Sequence, residues 1–325
     1  MKNTGNHISS LQTWLNEKGT LSVDALRPVI GMHQNALLRH DEWLEIDDAV
    51  LKTMKTELVG ITDLINAGLV KKLGGLGTML SAYEQLGDMT EAGVSMDADV
   101  PGEEDRQTFD TQFVPVPIVH KDFRISLRQL LASRNNGEGL DTTQAEGATR
   151  VVKEKMEDML FNGVTKQLAG YPIYGYTNHP KRITGTAVGN FSVAGNAYKT
   201  MVKAIGAMAD KGLNGPFNVY VSSAQYTEML NLLGSVNDYN ELTVISRQLP
   251  MISSVKRSFN LTAGAMVMVQ MTSDVVDLAV AEDVTPVQWD EMGGMLTRFR
   301  VMTAMTPRVK FDANDTCGVL HYTGA

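Results

Sequence analysis

Six histidines, one cysteine and a run of acidic side chains are the residues of this chain whose chemistry could amount to a site. A zinc centre needs three or four His, Cys or carboxylate ligands at helical or turn spacing. The histidines (His7, His33, His40, His120, His179 and His321) are scattered, no His-Glu-x-x-His occurs, and Cys317 has no second cysteine. A phosphate cradle of the Gly-x-x-x-x-Gly-Lys-Ser/Thr type is also missing, because the glycine-rich stretch Leu73–Gly77 lacks the lysine. Asp97-Ala98-Asp99-Val100-Pro101-Gly102 begins like a calcium loop, but Pro101 stands at position five and Thr108 at position twelve. Those places need an oxygen ligand and a bidentate glutamate, so the EF-hand reading fails and only a loose cation site among the acids stays open. Ser253-Ser254-Val255-Lys256 matches Ser-x-x-Lys without its companion motifs. Cys317 reads as a small packed residue and His179 as a core or surface side chain. No catalytic, cofactor-binding or metal-binding residue is therefore assigned, and no cofactor is expected.

Charge and composition narrow the function classes further. The 325 residues carry a net charge of −8, which argues against a surface built to grip nucleic-acid phosphates. Between Leu73 and His120 stand nine acids (Glu84, Asp88, Glu91, Asp97, Asp99, Glu103, Glu104, Asp105 and Asp110) against the single base Arg106. That one segment holds the whole net charge. No apolar run approaches the roughly 20 residues of a membrane span. Met1–Asn6 has no apolar signal core and a lone cysteine fits a reducing compartment, so synthesis in a cytoplasm is expected. The 19 methionines read first as irregular core filler.

The elements that would position any site follow from periodicity. Residues 1–40 hold few apolar anchors and read as an N-terminal arm, ordered only against something else. Trp43, Ile46, Val50, Met54, Leu58, Ile61 and Ile65 form a helical stripe, closed by Gly68. Residues 73–120 cannot bury enough surface to fold alone, and Pro115 and Pro117 bar a central strand position in the run Phe113–Val119. They read as a long two-stranded excursion. A helix over 141–163, about 21 residues and roughly 30 Å long, starts with Asp141 as cap and Gln144 at the capping-box position. It buries Ala145, Ala148, Val152, Met156, Met159 and Leu160, and turns Arg150, Lys153, Glu154, Lys155, Glu157 and Asp158 outward. Asn196 then caps a helix bearing Ala197, Met201, Ile205 and Met208. Phe217–Val221 reads as a strand, and Ser222 with Gln225 forms a capping box. Met266–Met271 and Val275–Val280 read as strands around the turn Thr272-Ser273-Asp274. Leu296–Thr303, with Arg298 and Arg300 outward and Phe299 and Val301 inward, and Val309–Phe311 complete an α+β chain.

This order of parts resembles the major capsid proteins of tailed bacteriophages, whose Hong Kong 97-type fold is shared with bacterial encapsulins. Local passages carry the resemblance. Trp43-Leu44-Glu45-Ile46-Asp47 is similar to a Trp-x-x-Ile-Asp start, and Gly175-Tyr176-Thr177-Asn178-His179-Pro180 to a Gly-Leu-x-Asn-x-Pro passage after the spine helix. Asn218–Tyr226 looks like the strand and capped helix of the axial domain, and Asp283–Met295 like the approach to the last strands. The resemblance spans roughly residues 41–325. It implies an arm over 1–40, a helical segment over 41–72 and an extended loop over 73–120. A peripheral domain with the spine helix would follow over 121–170, an axial domain over 171–288, and peripheral return strands over 289–325.

The function it implies is structural rather than enzymatic. Pentamers and hexamers of this chain would close into an icosahedral head around double-stranded DNA, held without sequence-specific contact and without a membrane. A separate scaffolding protein, a portal and a decoration protein are the implied partners, and the virion, assembled in a host cytoplasm, the implied location. An encapsulin-like compartment around an enzyme cargo is the alternative of the same fold; a soluble enzyme with an unrecognised site is the alternative of another class. Some capsid proteins of this kind crosslink a loop lysine to an asparagine of the next subunit. Residues 73–120 contain no lysine, so no such bond is expected here. The acidic excursion is expected to meet a basic surface of a neighbour, with Arg150, Lys153, Lys155, Arg298 and Arg300 as candidates.

Overall fold

The computed structural model describes residues 44–50, 58–87, 89, 96, 109–136, 142–231, 239–312 and 314–325. The arm over 1–40, Trp43, the Asp141 cap and the calcium-like stretch Asp97–Thr108 lie outside the described residues. The chain divides into two compact units. One comprises Met1–Met79 (in its described part), Val116–Leu160 and Leu278–Thr306; the other Leu80–Pro115, Phe161–Asp277 and Pro307–Ala325.

The first unit is built on a four-stranded sheet. Strand β1 (Val70–Lys72) runs parallel to β11 (Val276–Glu291), with Val70 opposite Leu278. At the other edge β4 (Ile118–Ser126) runs antiparallel to β12 (Leu296–Val309), from Leu296 opposite Ser126 to Ala304 opposite Ile118. The strand order is β1-β11-β12-β4. Arg298 and Arg300 are partly exposed while Phe299 and Val301 are buried, the alternation the sequence predicts. The strands expected at Leu296–Thr303 and Val309–Phe311 are instead one 14-residue strand up to Val309.

The long helix covers Thr143–Asn162. All six residues of its expected core face are buried, from Ala145 to Leu160. Two residues assigned to its solvated face are not solvated. Lys153 is 5% exposed and Glu157 8% exposed. Glu157 is buried because its carboxylate accepts from the backbone N–H of Gly60 at 2.8 Å and of Ile61 at 3.4 Å. Those are orphan donors at the start of the helix Gly60–Asn66. The same contact explains a second departure. The apolar stripe over 43–65 reads as one helix, but residues 44–50 and Gly60–Asn66 are separate helices, and Glu157 caps the second. Ile46, Val50, Ile61 and Ile65 nevertheless face the core, and Gly68 ends the stretch with φ +72°.

A helix not anticipated, Leu127–Asn136, follows β4. Its start is a reciprocal capping box: Ser126 Oγ accepts from Gln129 N–H, and Gln129 Oε1 from Ser126 N–H at 3.1 Å.

The second unit holds a five-stranded mixed sheet. Its strands are β7 (Ile183–Thr186), β8 (Phe217–Ser222), β9 (Ile252–Ser258), β10 (Met266–Gln270) and β13 (Val319–Thr323). Their order is β7-β13-β10-β8-β9. A small antiparallel pair, β5 (Val164–Leu168) and β6 (Tyr171–Ile173), precedes them in the chain. Every residue of β8 is buried. Strand β10 has antiparallel partners on both sides, β8 and β13, so the turn after it cannot make a hairpin with the next strand. The two strands read around Thr272–Asp274 accordingly belong to different sheets. Strand β13, read with the peripheral return strands, pairs in this five-stranded sheet with β10 and β7.

Met201, Met208, Met229, Met266 and Met268 are fully buried in the core of this unit, so the filler reading holds for them. Met89, Met96, Met292 and Met295 are exposed. The helix Asn196–Ala209 is not capped by Asn196. Gly195 takes the cap position in the left-handed region, and the Glu241 carboxylate accepts from its backbone N–H. Ser222 precedes the helix Ser223–Met229 as expected, but its hydroxyl meets the Gln225 side chain and makes no cap bond to the backbone. Gln225 instead donates to the Ala325 carbonyl at 3.2 Å.

Candidate functional site

Two features stand out as built rather than merely packed: the ribbon rising from residues 80–115 and the junction at the end of the long helix. Both lie within the second unit.

The ribbon consists of β2 (Leu80–Leu86) and β3 (Phe109–Pro115), an antiparallel pair with no register shift from Leu80 opposite Pro115 to Leu86 opposite Phe109. The two-stranded excursion read from the sequence is therefore present at its root. Pro115 ends β3 and Pro117 lies between strands, which keeps both prolines out of a ladder interior. The two faces of the ribbon differ. Ser81 and Gln85 are buried, and Tyr83 lies between them on the same face. On the other face Leu80, Phe109 and Phe113 are exposed large apolar residues, and Glu84 is exposed. The Phe113 ring meets the Tyr171 ring at 5.7 Å.

The buried face is held by charge. Arg308, 1% exposed, forks onto Asp277: its Nε donates to Oδ1 at 2.6 Å and its Nη2 to Oδ2. Its remaining nitrogen, Nη1, donates to Ser81 Oγ and to the Ala82 carbonyl, both at 3.0 Å. Lys310 Nζ adds a second cation 2.8 Å from Asp277. One carboxylate thus serves two cations, and the guanidinium ties it to the root of the ribbon. Gln85 Nε2 donates to the Phe311 carbonyl at 3.1 Å, a second tie on the same face. Sequence reading missed both Arg308 and Asp277. The available signal was a charged residue, Arg308, standing inside a long apolar strand.

At the helix end, the Gly175–Pro180 passage closes over Phe161 and Asn162. Thr177 N–H donates to the Phe161 carbonyl at 2.8 Å, an orphan acceptor of the last turn. Gly175 N–H donates to Asn178 Oδ1 at 2.7 Å. Gly163 has φ +67°, and a Cβ there would lie 2.4 Å from the Ile173 carbonyl oxygen. Tyr176 is fully buried, edge-on to Phe161 at 5.5 Å and stacked on Tyr220 at 6.2 Å.

His179 is 1% exposed, between the Tyr174 and Phe311 rings, and its Nδ1 accepts from Lys181 N–H at 3.2 Å. Burial, with Arg182 and Lys181 nearby, pushes its pKa down to about 4. The folded protein therefore refuses a proton that the unfolded chain takes near pH 6.5. The resulting stability is fully present above pH 6.5 and is lost as pH falls toward 4, by up to about 3 kcal/mol. Denaturation of wild type and His179→Asn across pH 4–7 tests this. The gap between them narrows on the acid side; a gap independent of pH contradicts it.

The other sequence candidates do not come together. His120 is exposed on β4 and His321 half-buried on β13; His7, His33 and His40 lie outside the described residues. Ser253 is exposed at a register shift near the start of strand β9, and Lys256 is partly buried in its regular part. Cys317 is fully buried, and burial pushes its thiol up to about 12, so it is a packed and unreactive residue. Among the described residues no group of three or more His, Cys, Asp or Glu could hold a metal ion, and no helix is long and apolar enough to cross a membrane.

The basic candidates for receiving the acidic excursion are also altered. Arg300 forms a two-pronged pair with Asp122, both contacts 2.7 Å, and holds that carboxyl below its usual range. Arg298 pairs with Glu291 at 2.8 Å, and Lys153 is buried. Arg150 and Lys155 stay exposed on the long helix, with loose or short-range partners Glu154 and Asp158.

Known proteins share this fold. The model of a family described as "Family of unknown function (DUF6260)" matches residues 33–322. The type 1 encapsulin shell protein EncA of Myxococcus xanthus (strain DK1622) is 25% identical over 281 residues, covering 86% of this chain and 92% of that protein. The capsid of Myoviridae phage XM1 superposes with a TM-score of 0.65 at 14% identity, covering 95% of this chain and 100% of that one. The virus-like particle from Pyrococcus furiosus superposes with a TM-score of 0.64 at 15% identity, covering 86% of this chain and 98% of that one. The chain belongs to the family of unknown function DUF6260, and its fold is the Hong Kong 97-type fold of phage capsid and encapsulin shell proteins.

Proposed function

We propose that this protein is a structural subunit that assembles with copies of itself, through pentamers and hexamers, into a closed icosahedral shell. The observation that carries the reading is the ribbon. Two strands tied to the body on one face expose Leu80, Phe109 and Phe113 on the other. Apolar surface of this kind marks an interaction site, and in a shell a second copy of the chain would cover it. In this reading the ribbon is the extended loop, Thr143–Asn162 the spine helix, the four-stranded unit the peripheral domain and the five-stranded unit the axial domain. The chain's role is architectural rather than catalytic.

The finer reading is a phage head around double-stranded DNA, in a virion completed by a scaffolding protein, a portal and a decoration protein. The phage XM1 capsid supports it by spanning 95% of this chain. A compartment holding protein cargo is the second reading, favoured by the 25% identity to an encapsulin shell protein over most of its length. Nuclease-treated particles from the native source separate the two. Protected double-stranded DNA bears out the head, and a stoichiometric co-purifying protein without DNA bears out the compartment.

The charge distribution adds a prediction. The acidic excursion meets Arg150 and Lys155 of a neighbour, so the yield of closed shells falls severalfold between low salt and about 1 M, where the Debye length is roughly 3 Å. Equal yields at both salt concentrations contradict that pairing.

A further inference from the structure

We propose that Arg308 is a latch that sets the direction of the ribbon, separable from the fold of the unit that carries it. Among the described residues, strands β2 and β3 pair only with each other. A two-stranded pair is marginal by itself, and its orientation depends on what grips its root. On the buried face the side-chain hydrogen bonds of that grip come from one short stretch of chain, beside the partly buried Tyr83 ring. Arg308 Nη1 donates to Ser81 Oγ and the Ala82 carbonyl, and the Phe311 carbonyl accepts from Gln85.

The guanidinium is suited to this because it is planar and its donors point in fixed directions. Two of its nitrogens are committed to Asp277, which fixes the plane, and the third is thereby aimed at β2. Lysine in the same place would keep the charge and lose the fork. The cluster also has one cation more than it has anions, with Lys310 beside Asp277, at the root of the segment that carries the chain's net negative charge. By contrast the strands of the five-stranded sheet, whose core includes Val219, Val221, Met266 and Met268, belong to a sheet separate from that of β2 and β3. Releasing the latch therefore frees the ribbon before it loosens the sheet.

The latch itself rests on these hydrogen bonds; its consequence, misdirected subunit contacts, rests on the shell reading. Hydrogen exchange on the intact chain tests the first part in variants Arg308→Lys and Ser81→Ala, read by mass spectrometry. The expected result is exchange at least tenfold faster over 80–86 and 109–115 in Arg308→Lys, with a smaller increase in Ser81→Ala. Segments 217–222 and 266–270 stay better protected than the ribbon in both, and lose no more protection than the fall in unfolding free energy measured by urea accounts for. Unchanged ribbon exchange in both variants overturns the latch. So does equal loss of protection in ribbon and sheet in Arg308→Lys together with an unaffected ribbon in Ser81→Ala, which makes Arg308 an element of the whole fold. Electron microscopy of the same variants tests the consequence. Aberrant or open particles are expected where wild type forms closed ones, and normal closed shells from a variant with a freed ribbon overturn that consequence. Wild type that forms no particles removes the shell reading alone, because the exchange result does not depend on assembly.

Discussion

Asp277→Ala lowers the unfolding free energy by about 3–5 kcal/mol, the usual cost of leaving a buried charge without its partner. Asp277 is 6% exposed and neutralises Arg308, which is 1% exposed. Without the carboxylate the guanidinium stays in the interior with two hydrogen bonds, to Ser81 and Ala82, and no counter-charge. Lys310 fares better, being partly exposed and bonded to the Ser273 carbonyl at 2.6 Å. The double variant Asp277→Ala/Arg308→Met is therefore less destabilised than Asp277→Ala, since it removes the orphaned charge along with its partner. Urea denaturation of wild type, Asp277→Ala, Arg308→Met and the double variant measures the cycle. A loss below about 1 kcal/mol for Asp277→Ala, the range of exposed ion pairs, contradicts a buried cluster.

Gly175→Ala destabilises by about 3 kcal/mol or more, the upper range for forcing extra volume into a packed interior. Its added Cβ would stand 2.5 Å from the Gly163 nitrogen and 2.6 Å from the Phe161 carbonyl oxygen. Both are backbone atoms at the end of the long helix, so relief requires the passage to lift off Phe161. That would disturb the Tyr176 ring, which packs against both Phe161 and Tyr220, as well. Gly147 is the internal control. It lies inside the same helix with nothing within 4 Å of a Cβ, so Gly147→Ala stabilises by about 0.5–1 kcal/mol. Thermal unfolding of both variants reads the contrast. Equal effects at the two positions contradict the close approach at Gly175.

Much of this architecture is legible in the amino-acid sequence, and the boundary of legibility is physical. Periodicity predicts the buried face of the long helix and the alternation along Arg298–Val301 because those patterns are local. The composition of residues 73–120 predicts an excursion because a segment so poor in apolar residues has no core to join. Glu157, Glu241 and Arg308 escape because their partners are distant: Glu157 caps Gly60 from 97 residues away, Glu241 bonds Gly195 from 46, and Arg308 bonds Ser81 from 227. On a helical wheel Glu157 is indistinguishable from a solvated acid. The Thr272–Asp274 turn misleads for a related reason: its local chemistry suits a hairpin, while β10 has both its edges filled by β8 and β13. The helix Leu127–Asn136 differs from these, because its signal is local: Ser126 and Gln129 form a capping box that a search for apolar stripes overlooks.

The central claim, that this chain builds shells, is tested most directly by size. Sedimentation velocity with negative-stain microscopy on the purified chain, alone and co-expressed with a scaffolding protein, gives the answer. Closed shells, rings of five or six, or curved sheets are expected in at least one of the two samples. A folded monomer or dimer as the only species in both contradicts the claim.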